Sequence, residues 1–238
     1  MKTSPFGNVV VGPSNQLFDL LIAQMNEAVH LAGKRARIAL TGGSTPNAFY
    51  QWAVRHGAVP PAVIESARWT VSDERHVPLA SEESNFGNAA RRFLDPLGVT
   101  GDRRLPWPVD VEGSAAVERY ASDWSENCKA SYDLCLLGMG DDTHIASLFP
   151  ESPLLSEGGD ADFAAIDVPG KGPRLTITPA GLARCGMIVV MVTGSAKAAA
   201  VAKVFSEPVD AVRQPAQLLS RFPDRVLWLL DPSSAAEL

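Results

Sequence analysis

Asp142 and His144 stand two residues apart in the segment LLGMGDDTHIASLFP, Leu136 to Pro150. A carboxylate beside an imidazole can hold the ring in one tautomer and stabilise its cation, which is how a general base for neutral pH is built. The setting favours that use. An apolar run from Tyr132 to Leu137 reads as a buried strand that stops at Gly138-Met139-Gly140. In open α/β sheets, ligands bind just beyond the carboxyl ends of strands. The plainer alternative is that His144 packs in or caps a short helix, with Asp142 as the N-cap of a turn over residues 143–148.

Four other segments could carry chemistry. In LTGGSTP, Leu40 to Pro46, a strand enters and Gly42 and Gly43 free the backbone. Thr45 is expected to cap a helix with Pro46 at its first position. Helix-start N–H groups with the Ser44 and Thr45 hydroxyls would make an anion site; a tight turn with a good cap explains the same residues. No Gly-Lys-Ser/Thr follows, so this is not a P-loop, and no third glycine makes it a dinucleotide fingerprint. In TGSAK, Thr193 to Lys197, Ser195 is expected to cap a helix whose first turn holds Lys197. A cation there opposes the macrodipole unless an anion joins it, or it reaches into solvent at little cost. In SDER, Ser72 to Arg75, Asp73 and Arg75 follow a strand and read either as a solvated turn or as strand-end site residues. Nearby, Ser84-Asn85 reads as the cap of the following helix. In PGKGPRLTIT, Lys171 sits in a Gly/Pro loop and Arg174 opens a strand; alone, both read as surface cations. His30, His56 and His76 have no comparable setting.

The elements that must position these residues alternate. Strands are expected at Asn8–Val11, Arg37–Leu40, Arg68–Val71, Tyr132–Leu137, Phe163–Val168, Leu175–Ile177, Met187–Val192 and Val226–Leu230. Helices are expected from a Ser14 cap to Leu31 closed by Gly33, and over Pro46–Arg55, Asn85–Leu94, Ala115–Cys128 and Ala196–Val204. Glu151–Asp160 and Val168–Pro173 read as surface loops. Such alternation implies a largely parallel sheet covered on both faces, in one domain over residues 1–238. The chain has 46% hydrophobic and 20% charged residues and a net charge of −6. That charge argues against non-specific binding to nucleic acid or anionic lipid, but a few local cations can still hold an anionic small molecule. Three widely spaced cysteines suit reduced thiols, with Cys135 in the core, and none has zinc-ligand spacing. The start, MKTSPFGNVVVGPS, lacks an apolar signal region, and no run approaches the ~18 apolar residues of a membrane span. A cytoplasmic protein without a membrane partner is expected; oligomeric state is not legible.

Taken in order, Gly42-Gly43-Ser44-Thr45-Pro46, Ser72-Asp73-Glu74-Arg75 with Ser84-Asn85, LLGMGDDTHIASLFP and Arg174-Leu175-Thr176-Ile177-Thr178 resemble the 6-phosphogluconolactonase family. That family belongs to a wider group with the glucosamine-6-phosphate deaminase/isomerases. The resemblance implies a Rossmann-like three-layer α/β/α fold and a phosphorylated sugar lactone as substrate. It places Gly42, Gly43, Ser44 and Thr45 around the sugar-phosphate, Arg174 and Lys197 as phosphate cations, and Lys171 in the loop ahead of that strand. His144 matches the general base, Asp142 and Arg75 its polar partners, and Asp73 the acid that moves protons in the isomerases. A lactone is an activated ester, so no metal and no cofactor is expected. The motif departs from the usual Asp-Gly-His-Thr at Thr143 and Ile145, where a side chain in place of glycine alters the loop or restricts φ. The deaminases carry a catalytic Glu five residues after the His. Phe149 stands there and cannot shuttle a proton, so lactone hydrolysis is the reading, with a deaminase/isomerase-like enzyme or a non-catalytic sugar-phosphate-binding protein as alternatives.

Overall fold

In the computed structural model, which describes residues 2–33, 35–125, 132–156, 159–206 and 208–238, most of the apolar runs pair as the alternation requires, but Phe163–Val168 and the run Leu175–Ile177 leave the parallel sheet and pair antiparallel with each other. The strands are β1 (Lys2–Ser4), β2 (Gly7–Val11), β3 (Arg37–Leu40), β4 (Arg68–Val71), β5 (Asp73–Arg75), β6 (Leu134–Leu137), β7 (Phe163–Val168), β8 (Gly172–Ile177), β9 (Met187–Val192) and β10 (Val226–Leu230). Between them run α1 (Ser14–Ala32), α2 (Ser44–Arg55), α3 (Pro61–Ser66), α4 (Asn85–Ala89), α5 (Gly113–Ser125), α6 (Pro153–Ser156), α7 (Pro179–Ala183) and α8 (Ala198–Ser206). One sheet has seven strands in the order β1-β2-β10-β9-β6-β3-β4. Strand β1 joins it antiparallel, and every other pairing is parallel. Strands β3, β6 and β10 are buried at every residue, as in a sheet covered on both faces. This is the Rossmann-like α/β/α arrangement. No helix among the described residues is long and apolar enough to cross a membrane.

The strand order locates the site. From β3 the chain passes to its neighbour β4 at the sheet edge; from β6, on the other side of β3, it passes the opposite way to β9. The crevice at the carboxyl ends of β3 and β6 is therefore a topological switch point, where such sheets leave room for a ligand. The Gly42–Thr45 segment leaves β3 there, and the Gly138–His144 segment leaves β6.

A second sheet, β5-β8-β7, is antiparallel. It corrects the reading of Ser72–Arg75 as a solvated turn: Asp73, Glu74 and Arg75 form a strand because β8 supplies their hydrogen-bond partners. The register sets Arg75 opposite Arg174 and Asp73 opposite Thr176.

Several boundaries also differ from expectation. Ser14 and Thr45 are inside their helices, not caps; the N-caps are Pro13 and Gly43. Ser195 opens a 3-10 turn, Ser195–Lys197, ahead of α8, with Gly194 as its N-cap. None of these three caps uses a side chain. The backbone of Pro13, at φ −64° and ψ 147°, already has cap geometry. Gly33 closes α1, its N–H bonded to Val29 O. The Asn85–Leu94 helix divides into α4 and a π-turn over Ala90–Leu94. Glu151–Asp160 contains α6, and Val168–Pro173 holds the end of β7, the hairpin turn and the start of β8. Strand β6 starts at Leu134, after Asp133 has turned its carboxylate onto Arg37 N at 2.7 Å. Cys135 and Cys185 are buried free thiols. The expected helix end at Cys128 lies outside the described residues.

Candidate active site

His144 sits where two recesses meet. One is lined by Gly42, Gly43, Ser44, Thr45, Asn85 and Lys197 together with Asp73, Arg75 and His144. The adjoining one is lined by Asp73, Arg75, His144, Phe149, Lys171 and Arg174. The fold thus brings together every residue singled out from the sequence, Asp142 included through its bond to His144. It also divides the cations: Lys197 faces the start of α2, while Arg174 and Lys171 lie in the second recess beside Arg75. The β5–β8 register sets Arg174 opposite Arg75, and the recess that Arg174 lines adjoins the one that Lys197 lines, sharing Asp73, Arg75 and His144 with it.

His144 Nδ1 lies 2.5 Å from Asp142 Oδ1, which also accepts the His144 N–H at 3.2 Å. An ionised carboxylate only accepts, so Nδ1 carries the hydrogen and Nε2 keeps its lone pair. Burial raises the Asp142 pKa, but the hydrogen bonds and charge of His144 outweigh it and hold the carboxyl below the ordinary range. The imidazole stacks on Phe149, ring centroids 4.2 Å apart at 28°, and Lys171 Nζ lies 5.2 Å from the Phe149 centroid. One bond and one stacked face thus fix the ring.

The loop that delivers His144 is strained. Thr143 has φ 65°, in the left-handed region, with its side chain buried and Oγ1 without a partner. Thr143 thus holds a backbone shape that glycine adopts readily and a β-branched residue does not. That shape costs an L-residue roughly 1–2 kcal/mol, and glycine gives back ~0.4–1 kcal/mol through the unfolded chain. Thr143→Gly is therefore expected to stabilise the protein by about 1 kcal/mol, read as a rise of ~2 °C in thermal unfolding. An unchanged or lower midpoint would contradict the strain.

Around the first recess, Thr45 Oγ1 and Thr193 Oγ1 are 2.8 Å apart, tying the loop after β3 to the loop after β9. Gly194 N donates to Asp231 Oδ1 at 3.0 Å. Lys197 Nζ donates to Asp141 Oδ1 at 2.6 Å. Asp141 is 76% exposed against 26% for Lys197, so the carboxylate can yield to an incoming anion while the ammonium stays.

Sequence reasoning missed four residues. Asp141 is one. Glu74 is fully buried: its carboxylate accepts from Arg75 N, Asn85 N, Phe86 N and Ser84 Oγ at 2.6–2.9 Å. Burial pushes its carboxyl up, against the pull of those bonds. Glu74 locks β5 to the start of α4 and so sets the positions of Arg75 and Asn85. Asn85 itself lines the first recess. Its neighbour Asp73, already singled out from the sequence, is 7% exposed, accepts from Ser147 Oγ at 2.7 Å and borders both recesses. Gly140 is the fourth: a Cβ there would meet the His144 ring at 2.0 Å. The signal that could have found it is the close pair Gly138 and Gly140 just ahead of Asp141.

A Rossmann-like sheet with an acid–imidazole pair and a Gly-Gly helix start at its switch point defines a class of α/β proteins that bind small molecules at strand ends. The model of the glucosamine-6-phosphate isomerases/6-phosphogluconolactonase family matches residues 14–228. A 6-phosphogluconolactonase of Synechocystis sp. is 32% identical over 84% of this chain and 84% of its own, and that of Homo sapiens 30% over 96% and 93%. A solved 6-phosphogluconolactonase from Trypanosoma cruzi superposes with a TM-score of 0.80 at 23% identity, over 99% of this chain and 98% of that one. This chain belongs to the glucosamine-6-phosphate isomerase/6-phosphogluconolactonase family.

Proposed function

We propose that the protein hydrolyses 6-phosphoglucono-δ-lactone to 6-phosphogluconate, the lactonase step of the oxidative pentose phosphate pathway. The observation that carries this is the 2.5 Å Asp142–His144 contact at the switch point, with Phe149 where a proton-shuttling acid would serve the isomerases. His144 Nε2 takes a proton from water as its oxygen attacks the lactone carbonyl. Asp142 stabilises the resulting imidazolium, and Arg75 faces the developing oxyanion. The tetrahedral intermediate collapses, the bond from carbonyl carbon to ring oxygen breaks, and the imidazolium returns its proton to that oxygen. The phosphate is held at the Ser44–Thr45 helix start by Lys197, displacing Asp141. This remote binding aligns the carbonyl with the base. Arg174 and Lys171 add positive potential in the second recess, where negative charge accumulates as the ring opens.

The test follows lactone hydrolysis in a pH-stat, with the spontaneous rate subtracted. Turnover well above background supports the reading; a rate equal to background refutes it. Lys197→Ala is expected to raise KM about tenfold, the worth of a charge-assisted hydrogen bond, with kcat nearly unchanged. An unchanged KM would remove Lys197 from the phosphate site.

A further inference from the structure

Asn85 lines the first recess beside Gly42 and Asp73, and it is 5% exposed. It is not the cap of α4, because the Ser84 hydroxyl accepts from Gly87 N. Its own N–H goes to Glu74 Oε1. The carboxamide is held from its nitrogen end: Nδ2 donates to the Asp73 carbonyl at 2.9 Å, with a longer approach of 3.5 Å to Asp73 Oδ1. Both are acceptors, so the amide cannot be reversed without setting oxygen against oxygen. Oδ1 is therefore the free end, and no described residue donates to it. It also lies against Gly42 so closely that a Cβ there would be 2.0 Å away. The residue is nearly buried, yet this oxygen has no protein donor and borders the recess, so its donor comes from solvent or ligand, and it is rigidly aimed beside the loop that enters the site.

We infer that Asn85 Oδ1 is a specificity-determining acceptor that reads one ring hydroxyl of the substrate. The inference rests on the lactonase reading above. An amide oxygen needs a donor. The phosphate and the lactone carbonyl offer none, whereas the hydroxyls at C2, C3 and C4 each do. The same oxygen repels the phosphate, which helps to send that group to the Lys197 end. Asn85 thus orients the ring as well as selecting it. Because the recess is open, water can reach Oδ1 when the hydroxyl is missing. The discrimination is then about tenfold, not the ten-thousandfold of a sealed polar site.

The experiment measures kcat/KM for the parent lactone and its 2-, 3- and 4-deoxy counterparts, with wild type and Asn85→Ala. In wild type, one deoxy lactone is expected to fall about tenfold below the parent from this contact. Asn85→Ala is expected to lose about tenfold on the parent and nothing further on that one deoxy lactone, while the other two fall as they do in wild type. A uniform loss on all four substrates would show that Asn85 only supports Asp73, and would overturn the inference. Should Asn85→Ala not fold, the wild-type series still decides: three deoxy lactones all within twofold of the parent exclude a hydroxyl-reading contact. Gly42→Ala, whose Cβ would stand 2.0 Å from Oδ1 and 2.6 Å from Cγ, pushes the carboxamide off its position and is expected to reproduce the Asn85→Ala pattern. No wild-type turnover of the parent would remove the lactonase reading itself; turnover without hydroxyl discrimination removes only the role of Asn85.

Discussion

His144→Ala is expected to lower kcat by ~10²–10⁴, the range that a positioned general base supplies, with KM nearly unchanged. Spontaneous lactone opening sets the floor, so the measurable loss is the smaller of this factor and the wild-type excess over background. The split between kcat and KM follows from geometry. The proposed phosphate cradle at Ser44, Thr45 and Lys197 is built on different loops from the dyad, and the alanine variant leaves those loops intact. Folding is expected to survive. The His144 and Asp142 side chains are 29% and 43% exposed, so losing the partner leaves no sealed, unpaired charge, and stacking on Phe149 is worth about 1 kcal/mol. Circular dichroism and thermal unfolding check the fold, and pH-stat turnover checks the chemistry. A folded variant within threefold of wild type would take the base role away from His144.

Much of the scaffold was legible because its signals are local. Strands β7, β9 and β10 end where their apolar runs end, since each run is bounded by turn formers. The strand-end site could be anticipated, because a strand that stops at glycines beside acid and imidazole is read from one segment; that it is a switch point follows only from the strand order. What was not legible depends on partners distant in sequence. Asp73-Glu74-Arg75 has no strand pattern; it is a strand because β8 is opposite, and that pairing sets Arg75 beside Arg174. The division of cations into two recesses follows from it. Asn85 looked like half of a cap, yet with Ser84 capping α4 its carboxamide nitrogen is tied to Asp73 and its oxygen is left for the cleft. Glu74 looked like a solvated charge, yet 0% exposure and four bonds make it the joint between β5 and α4. Helix starts were placed one or two residues late, at hydroxyl residues, because the preceding Pro13 and Gly43 have cap-compatible backbones without needing a side chain.

Gly140→Ala tests whether the dyad's geometry, beyond its composition, carries the reaction. A Cβ at residue 140 would stand 2.0 Å from His144 Nδ1, 2.2 Å from Cε1 and 2.6 Å from Asp142 Oδ1. Separations below about 3 Å cannot persist, and what can move is the imidazole at the end of its side chain, not the backbone. The fold is therefore expected to hold, helped by the ~0.4–1 kcal/mol that replacing glycine gains through the unfolded chain, while the ring leaves Asp142 and its stack on Phe149. Turnover should fall by ~10² or more, since displacing a catalytic group by an ångström costs on that order. The double variant Gly140→Ala/His144→Ala separates this from any general damage. If Gly140 matters only by leaving room for the ring, the double variant is no slower than His144→Ala alone, the non-additivity of residues acting as one unit. If the two losses multiply, the Gly140 loop does something besides seating the imidazole, and the backbone N–H of Gly140, now bonded to His144 O at 2.9 Å, becomes the group to examine.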